Sequence, residues 1–261
     1  MRLGVFYFNP DYGIDTGELA RALEERGFDS LYVPEHTHIP TSRRTPFPAG
    51  GELPKRYSHI RDPFVGLSFA AAATKTLLLG TGICLIPERD PIATAKCVAS
   101  LDQLSGGRFI FGIGGGWNVE EMENHGAQYN TRFKLMRERI LAMKALWTQE
   151  EASFHGEFVN FDPVWSWPKP AQRPHPPILL GGETDYTLRR VVEYIATAGS
   201  PARLATSPRK GRSTGCAGLR KKRGGTRQTC RSLCSALRLT RRLSPRTAKP
   251  ASTRHYSKCQ I

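Results

Sequence analysis

The chain has 261 residues, with 38 Lys and Arg against 23 Asp and Glu and a formal net charge of +15. No apolar run approaches the about 18 residues of a membrane-spanning helix, and Met1-Arg2-Leu3-Gly4-Val5 enters a strand pattern rather than a signal peptide. A soluble, cytoplasmic protein with no membrane partner is expected. The charge is unevenly placed: residues 1–194 hold 21 basic and 23 acidic side chains, whereas residues 195–261 hold 17 basic ones and no acid.

Along the first part, short apolar runs alternate with helical patterns. The runs 3–8, 30–33, 77–83, 109–113 and 178–180 read as strands, and 18–26, 63–73, 91–104, 132–147 and 187–194 read as the helices that follow them. Such alternation implies a parallel sheet with helices outside. Asp15 with Glu18 three positions later resembles a capping box, and Asp62-Pro63 and Asp90-Pro91 each put an acceptor before a proline at a first helical position. Phe133, Met136, Ile140, Met143 and Trp147 recur at helical spacing and read as one core-facing stripe. Two long excursions, 35–61 and 150–177, follow strand ends, and loops of such length in a compact domain are usually functional.

The two parts are read as separate segments, 1–194 an α/β domain and 195–261 a basic, low-complexity tail. At the acid frequency of the first part the tail would hold about 8 Asp and Glu, so its lack of them sets it apart from an ordinary domain. Two readings compete. One is a basic arm that binds nucleic acid through phosphate neutralisation, with Arg220-Lys221-Lys222-Arg223 as a polybasic patch. Tyr256 is the tail's only aromatic, too few for a stacking platform, so no nucleic-acid partner is expected beyond non-specific contact through the tail. The other is translation of GC-rich DNA in a shifted frame: the codons of Ile195-Ala196-Thr197-Ala198-Gly199-Ser200-Pro201, read with each third base leading, permit Cys-Asp-Gly-Trp-Phe-Pro. The second is the reading adopted, and an inactive fragment is its corollary.

Cys84 and Cys97 lie in apolar segments and are expected to be reduced and buried. Cys230-x3-Cys234 and His255-x3-Cys259 in the tail fit no common zinc spacing, so no metal is expected.

Four segments, taken in order, carry a resemblance. They are Val33-Pro34-Glu35-His36-Thr37-His38-Ile39-Pro40; Leu79-Gly80-Thr81-Gly82-Ile83 leading to Arg89-Asp90-Pro91; Leu104-Ser105-Gly106-Gly107-Arg108-Phe109; and Gly112-Ile113-Gly114-Gly115-Gly116-Trp117-Asn118-Val119-Glu120, followed by Pro177-Ile178-Leu179-Leu180-Gly181-Gly182. Over residues 1–194 the pattern resembles the luciferase-like monooxygenase superfamily, particularly its oxidoreductases that use the deazaflavin coenzyme F420. In that family Asp-Gly-Trp commonly opens the segment that follows the Gly-Gly strand and its helix, which supports the shifted reading of the tail.

The resemblance implies a TIM-like (β/α)8 barrel, here truncated after about five strand–helix units, with the cofactor ring over the C-terminal strand ends. The cofactor expected is coenzyme F420, with FMN as the alternative, and the reaction is hydride transfer or monooxygenation of a small organic substrate. A full-length form could be a homodimer. A non-prolyl cis peptide backing the ring is implied at Gly82-Ile83, although an ordinary strand end is the plainer reading of those residues. His36 and Glu120 are the candidate acid–base groups, Glu120 and its neighbour Glu121 being equally suited to complementing a helix dipole. Gly80, Thr81, Gly82, Ile83, Gly114, Gly115, Gly116, Trp117, Asn118, Gly181 and Gly182 are the candidate cofactor-binding residues. Pro40 and Trp117 stand where sugar-phosphate-specific members carry Trp and Glu, so that acid–base scheme does not transfer. The family's phosphate-holding loops belong to the last two strands, which have no counterpart here.

Overall fold

The structure, a computed structural model, describes residues 3–196 and the strand 203–205, all within one compact unit, Met1–Ser207. Strands β1 (Gly4–Phe6), β2 (Ser30–Val33), β3 (Leu78–Thr81), β5 (Phe109–Gly114), β8 (Ile178–Gly181) and β9 (Arg203–Ala205) pair in that order. Every pairing is parallel, and β4 (Cys84–Leu85) prolongs the β3 stave along β5. Helices α1 (Thr16–Glu25), α2 (Pro63–Ala73), α3 (Pro91–Leu104), α5 (Arg132–Thr148) and α6 (Asp185–Arg190) make the crossovers, and the short α4 (Val119–Asn124) precedes α5. These are the five expected strand–helix units. Among the described residues no pairing closes the sheet, which ends at β1 and β9.

Helix starts follow their sequence signals. Asp15 Oδ1 accepts from the N–H groups of Gly17 and Glu18, Asp62 Oδ1 from Phe64 and Val65, and Asp90 Oδ1 from Ala93, with proline opening α2 and α3. Past the end of α3, Gly106 and Gly107 adopt φ of 68° and 79°, which glycine alone takes without strain. Arg108 then fixes this corner. Its guanidinium donates to the carbonyls of Ala71, Thr74, Leu77 and Ser105 and to Thr74 Oγ1, so the Leu-Ser-Gly-Gly-Arg segment joins the ends of α2 and α3.

Strand alternation divides the side chains between two faces. Leu31, Val33, Leu79, Phe109, Phe111, Ile113, Ile178 and Leu180 are buried in one core with Leu67, Ala70 and Val98 and with the α5 stripe of Met136, Ile140, Met143 and Trp147. The opposite face carries Tyr32, Gly80, Gly82, Ile110, Gly112 and Gly114. A Cβ on Gly112 would lie 1.9 Å from the Thr81 carbonyl oxygen, so the close approach of β3 to β5 requires glycine there.

Three differences from the expected pattern have physical reasons. Residues 150–177 contain an antiparallel hairpin, β6 (Glu151–His155) and β7 (Asn160–Trp165); Pro163 sits within β7, which an edge of a two-stranded ribbon tolerates. Cys84 is buried as expected, but Cys97 lies on the exposed side of α3. The sheet also continues past the break in charge, because Tyr194 and Ile195 are buried and the backbone of β9 pairs with β8. The remaining tail, including its cysteines and polybasic patch, lies outside the described residues. Among those residues no helix is long and apolar enough to cross a membrane.

Candidate active site

The C-terminal ends of β2, β3, β5 and β8 bring the expected segments together. His36, three residues past β2, is almost wholly buried; its Nδ1 lies 2.6 Å from Glu121 Oε2 on α4, and Glu121 Oε1 accepts from the Thr37 N–H at 3.0 Å. On the other side of the ring, Trp117 Nε1 donates to His36 Nε2 at 3.3 Å. Since an indole N–H only donates, Nε2 is the accepting nitrogen and the imidazole proton sits on Nδ1, facing the carboxylate. The arrangement is a histidine with its tautomer fixed by a buried acid.

Glu35, the residue before His36, anchors the same loop from beneath. One of its oxygens accepts from the Leu85 N–H at 2.6 Å and the other binds Arg89, whose guanidinium also holds Asp62. Burial lowers the tendency of Arg89 to stay protonated, but Glu35 more than offsets this and holds it above its ordinary value. The end of β2 is thus tied to β4 and to the start of α2. Burial, then Glu35, pushes the Cys84 thiol well up, so it stays a neutral core group.

Between these strands the Gly82–Ile83 peptide is cis, at the position the resemblance implies. The Ile83 side chain lies under two glycines: a Cβ on Gly114 would fall 1.9 Å from its Cδ1, and one on Gly181 would fall 3.3 Å away. Gly80 and Gly82 are similarly bare against Tyr32 and Phe6. The result is an apolar floor of Phe6, Tyr32 and Ile83, with glycine backbone between, and Phe6 is 52% exposed on it. A flat ring suits such a floor; bulkier residues at the glycines would displace Ile83 and Tyr32.

Aromatic rings border His36. Tyr57 lies 5.5 Å and Trp117 5.6 Å from the imidazole between centroids, Phe47 packs on both at 5.2 and 6.1 Å, and Phe8 meets Tyr57 at 4.9 Å. Phe47 and Tyr57 come from the long excursion after β2, whose single helical turn Lys55–His59 presents Tyr57. The Arg56 guanidinium stacks over Phe8 at 4.6 Å.

Several expected residues do other work. The Glu120 carboxylate turns away from His36 and holds the excursion loop: it accepts from the Thr45 N–H at 2.9 Å, binds the Thr45 hydroxyl, and faces Arg44 at 3.5 Å. Burial raises its pKa, yet the Thr45 hydroxyl and neighbouring N–H groups bring it down to about 2. Asn118 is buried and caps α4 through Glu121 N, Thr81 Oγ1 donates to Gly112 O at 2.6 Å, Gly115 backs onto Phe133, and Gly182, at φ 127°, packs on Thr187. His38 turns to Thr37 and Asn124. In the sequence reading Glu121 had only a place beside Glu120 at the helix dipole, and Glu35, Phe47 and Tyr57 had no role of their own. Glu120 and Glu121 differ by one helical step, about 100° around the axis, and only the fold decides which reaches a histidine 85 positions earlier.

The family model for luciferase-like monooxygenase matches residues 4–205. The chain belongs to the luciferase-like monooxygenase family. The chain is 48% identical over 184 residues to an uncharacterized protein of Mycobacterium tuberculosis, covering 69% of this chain and 65% of that one. It is 30% identical over 189 residues to an F420-dependent glucose-6-phosphate dehydrogenase of Kineococcus radiotolerans, covering 70% and 52%. It is 39% identical over 97 residues to an FMNH(2)-dependent dimethylsulfone monooxygenase of Pseudomonas putida, covering 36% and 27%. The chain therefore spans about two thirds of the length of the curated mycobacterial relatives it matches, 65%. The family match also runs beyond residue 194, to the end of β9.

Proposed function

We propose that the site serves two-electron oxidoreduction of a small organic substrate on a deazaflavin, coenzyme F420, with FMN as the alternative. The bound ring supplies hydride donation or acceptance, and a reduced flavin also supplies oxygen activation. Phe6, Tyr32 and Ile83 with Gly82 and Gly114 would hold the ring, and Trp117 borders it. His36 acts as the acid–base group. Its Nε2 exchanges a long hydrogen bond to Trp117 for the substrate oxygen, and takes or returns that oxygen's proton while Glu121 holds Nδ1–H and balances the imidazolium charge. The walls of Phe8, Phe47, Tyr57 and Trp117 favour an apolar or ring-containing substrate.

The observation that carries this reading is the tautomer-fixed His36 beside a glycine-cleared floor. Coenzyme F420 is favoured because the similarity to the F420-dependent relative extends over 189 residues, against 97 for the FMNH(2)-dependent one. The test is spectral titration of the chain with each cofactor. Saturable binding of F420 tighter than that of FMN supports the assignment; FMN binding alone would move the activity to the flavin side, and no binding of either would remove the reading.

A further inference from the structure

Behind the His36–Glu121 pair lies a third carboxyl that the chemistry above leaves unused. Glu88 closes the 3-10 turn Ile86–Glu88 and is only 6% exposed. Among the described residues, neither of its oxygens receives a hydrogen bond from an N–H or hydroxyl donor. Facing it within hydrogen-bonding reach is the Glu121 carboxyl. On one side the carboxyl lies against the Gly116 backbone, where an added Cβ would meet Glu88 Oε1 at 3.2 Å.

Two carboxylates facing each other away from water cannot both stay charged, so one must hold a proton between them. The donors decide which. Glu121 receives two N–H bonds, from Thr37 and from His36 Nδ1, and these stabilise its charged form. Glu88 receives none. The other groups facing Glu88 do not reverse this order: Glu35 is a further negative charge, and Arg89, the nearby cation, is already engaged by Glu35 and Asp62. Arg139 on α5 turns its guanidinium to the carbonyls of Ile86 and Arg89.

We propose that Glu88 is kept as the neutral acid, donates a hydrogen bond to Glu121, and is thereby a positioning residue that leaves Glu121 as the one charged member of the pair behind His36. Burial, followed by repulsion from Glu121 and Glu35, pushes the Glu88 carboxyl up to about 9. Below that pH the proton stays between the two acids; above it the proton leaves to solvent and a second charge forms next to Glu121, the carboxylate that holds His36 Nδ1. No covalent bond changes. The inference holds whichever cofactor the site takes.

The test is an NMR pH titration of the His36 imidazole in the cofactor-free full chain, its signals assigned by their loss in H36Q. In the wild type the His36 shifts are expected to show an inflection near pH 9. In E88Q, whose amide can still donate to Glu121 but cannot ionise, that inflection should disappear. Infrared spectra of the wild type at pH 7.5 supply a reading that depends on no variant's folding: a buried carboxylic-acid carbonyl band is expected. Absence of that band, absence of the inflection in the wild type, or its persistence in E88Q would each overturn the proposal. Failure of cofactor titration, with these signals present, would overturn the proposed function and leave Glu88 as assigned.

Discussion

His36 and Glu120 show how differently two polar side chains of one site can be employed. His36 has both ring nitrogens engaged, by Glu121 and by Trp117, so its replacement removes the proposed proton carrier, held in one orientation, without opening the core. For H36Q we expect a loss of turnover on the order of 10²-fold or more with cofactor affinity little changed, measured by steady-state rates beside cofactor titration. Glu120 is a tether for residues 42–45. Its folded pKa of about 2 lies below the ordinary 4.5, so the stability it contributes is present above pH 4.5 and is lost as pH falls toward 2. E120Q should therefore be less stable than wild type at neutral pH, and urea melts at successively lower pH should converge; a gap that persists at pH 2 contradicts this. These roles were only partly legible. Strand alternation and the glycine runs marked where a site lies, and His36 stood at a strand end. Which of two adjacent glutamates turns toward it, and that Phe47 and Tyr57 wall it, depends on contacts between residues tens of positions apart that no local pattern encodes.

Element boundaries were legible where the signal is local. Asp62 and Asp90 begin α2 and α3 because an aspartate oxygen satisfies free N–H groups of the first turn and proline needs none. Replacing Asp90 by Ala should cost about 1 kcal/mol; replacing Asp62 should cost more, because it also pairs with Arg89. Chemical denaturation of the two variants checks both the loss and the order. At the strand level, Gly112→Ala should be far worse than either, since its Cβ would strike the Thr81 backbone oxygen and β3 and β5 would have to separate. The hairpin in residues 150–177 is hard to see in the sequence because its strands mix polar residues with few apolar ones, one contains Pro163, and the tryptophan-proline run after it reads as turn.

At the scale of the molecule, five strand–helix units and β9 form a parallel sheet that no pairing closes among the described residues. Leu3, beside the edge strand β1, and Phe6, within it, are 46% and 52% exposed. An unpaired edge with apolar neighbours is a template for association. The chain alone should bind a fluorescent apolar dye and shift to larger species with concentration in size-exclusion chromatography. A monodisperse, cooperatively melting protein that binds no dye would contradict that expectation. The described residues include the floor on which the ring is proposed to rest, whereas the resemblance assigns phosphate binding to loops of later strands.

The most direct test of the central claim is to follow the Trp117 indole N–H and the His36 imidazole by NMR while coenzyme F420 is added to saturation. Both signals are expected to shift together along the binding curve, because His36 and Trp117 lie at the strand ends over which the ring is proposed to rest. Saturable binding that leaves both signals unmoved would place the cofactor elsewhere and contradict the site described for this chain.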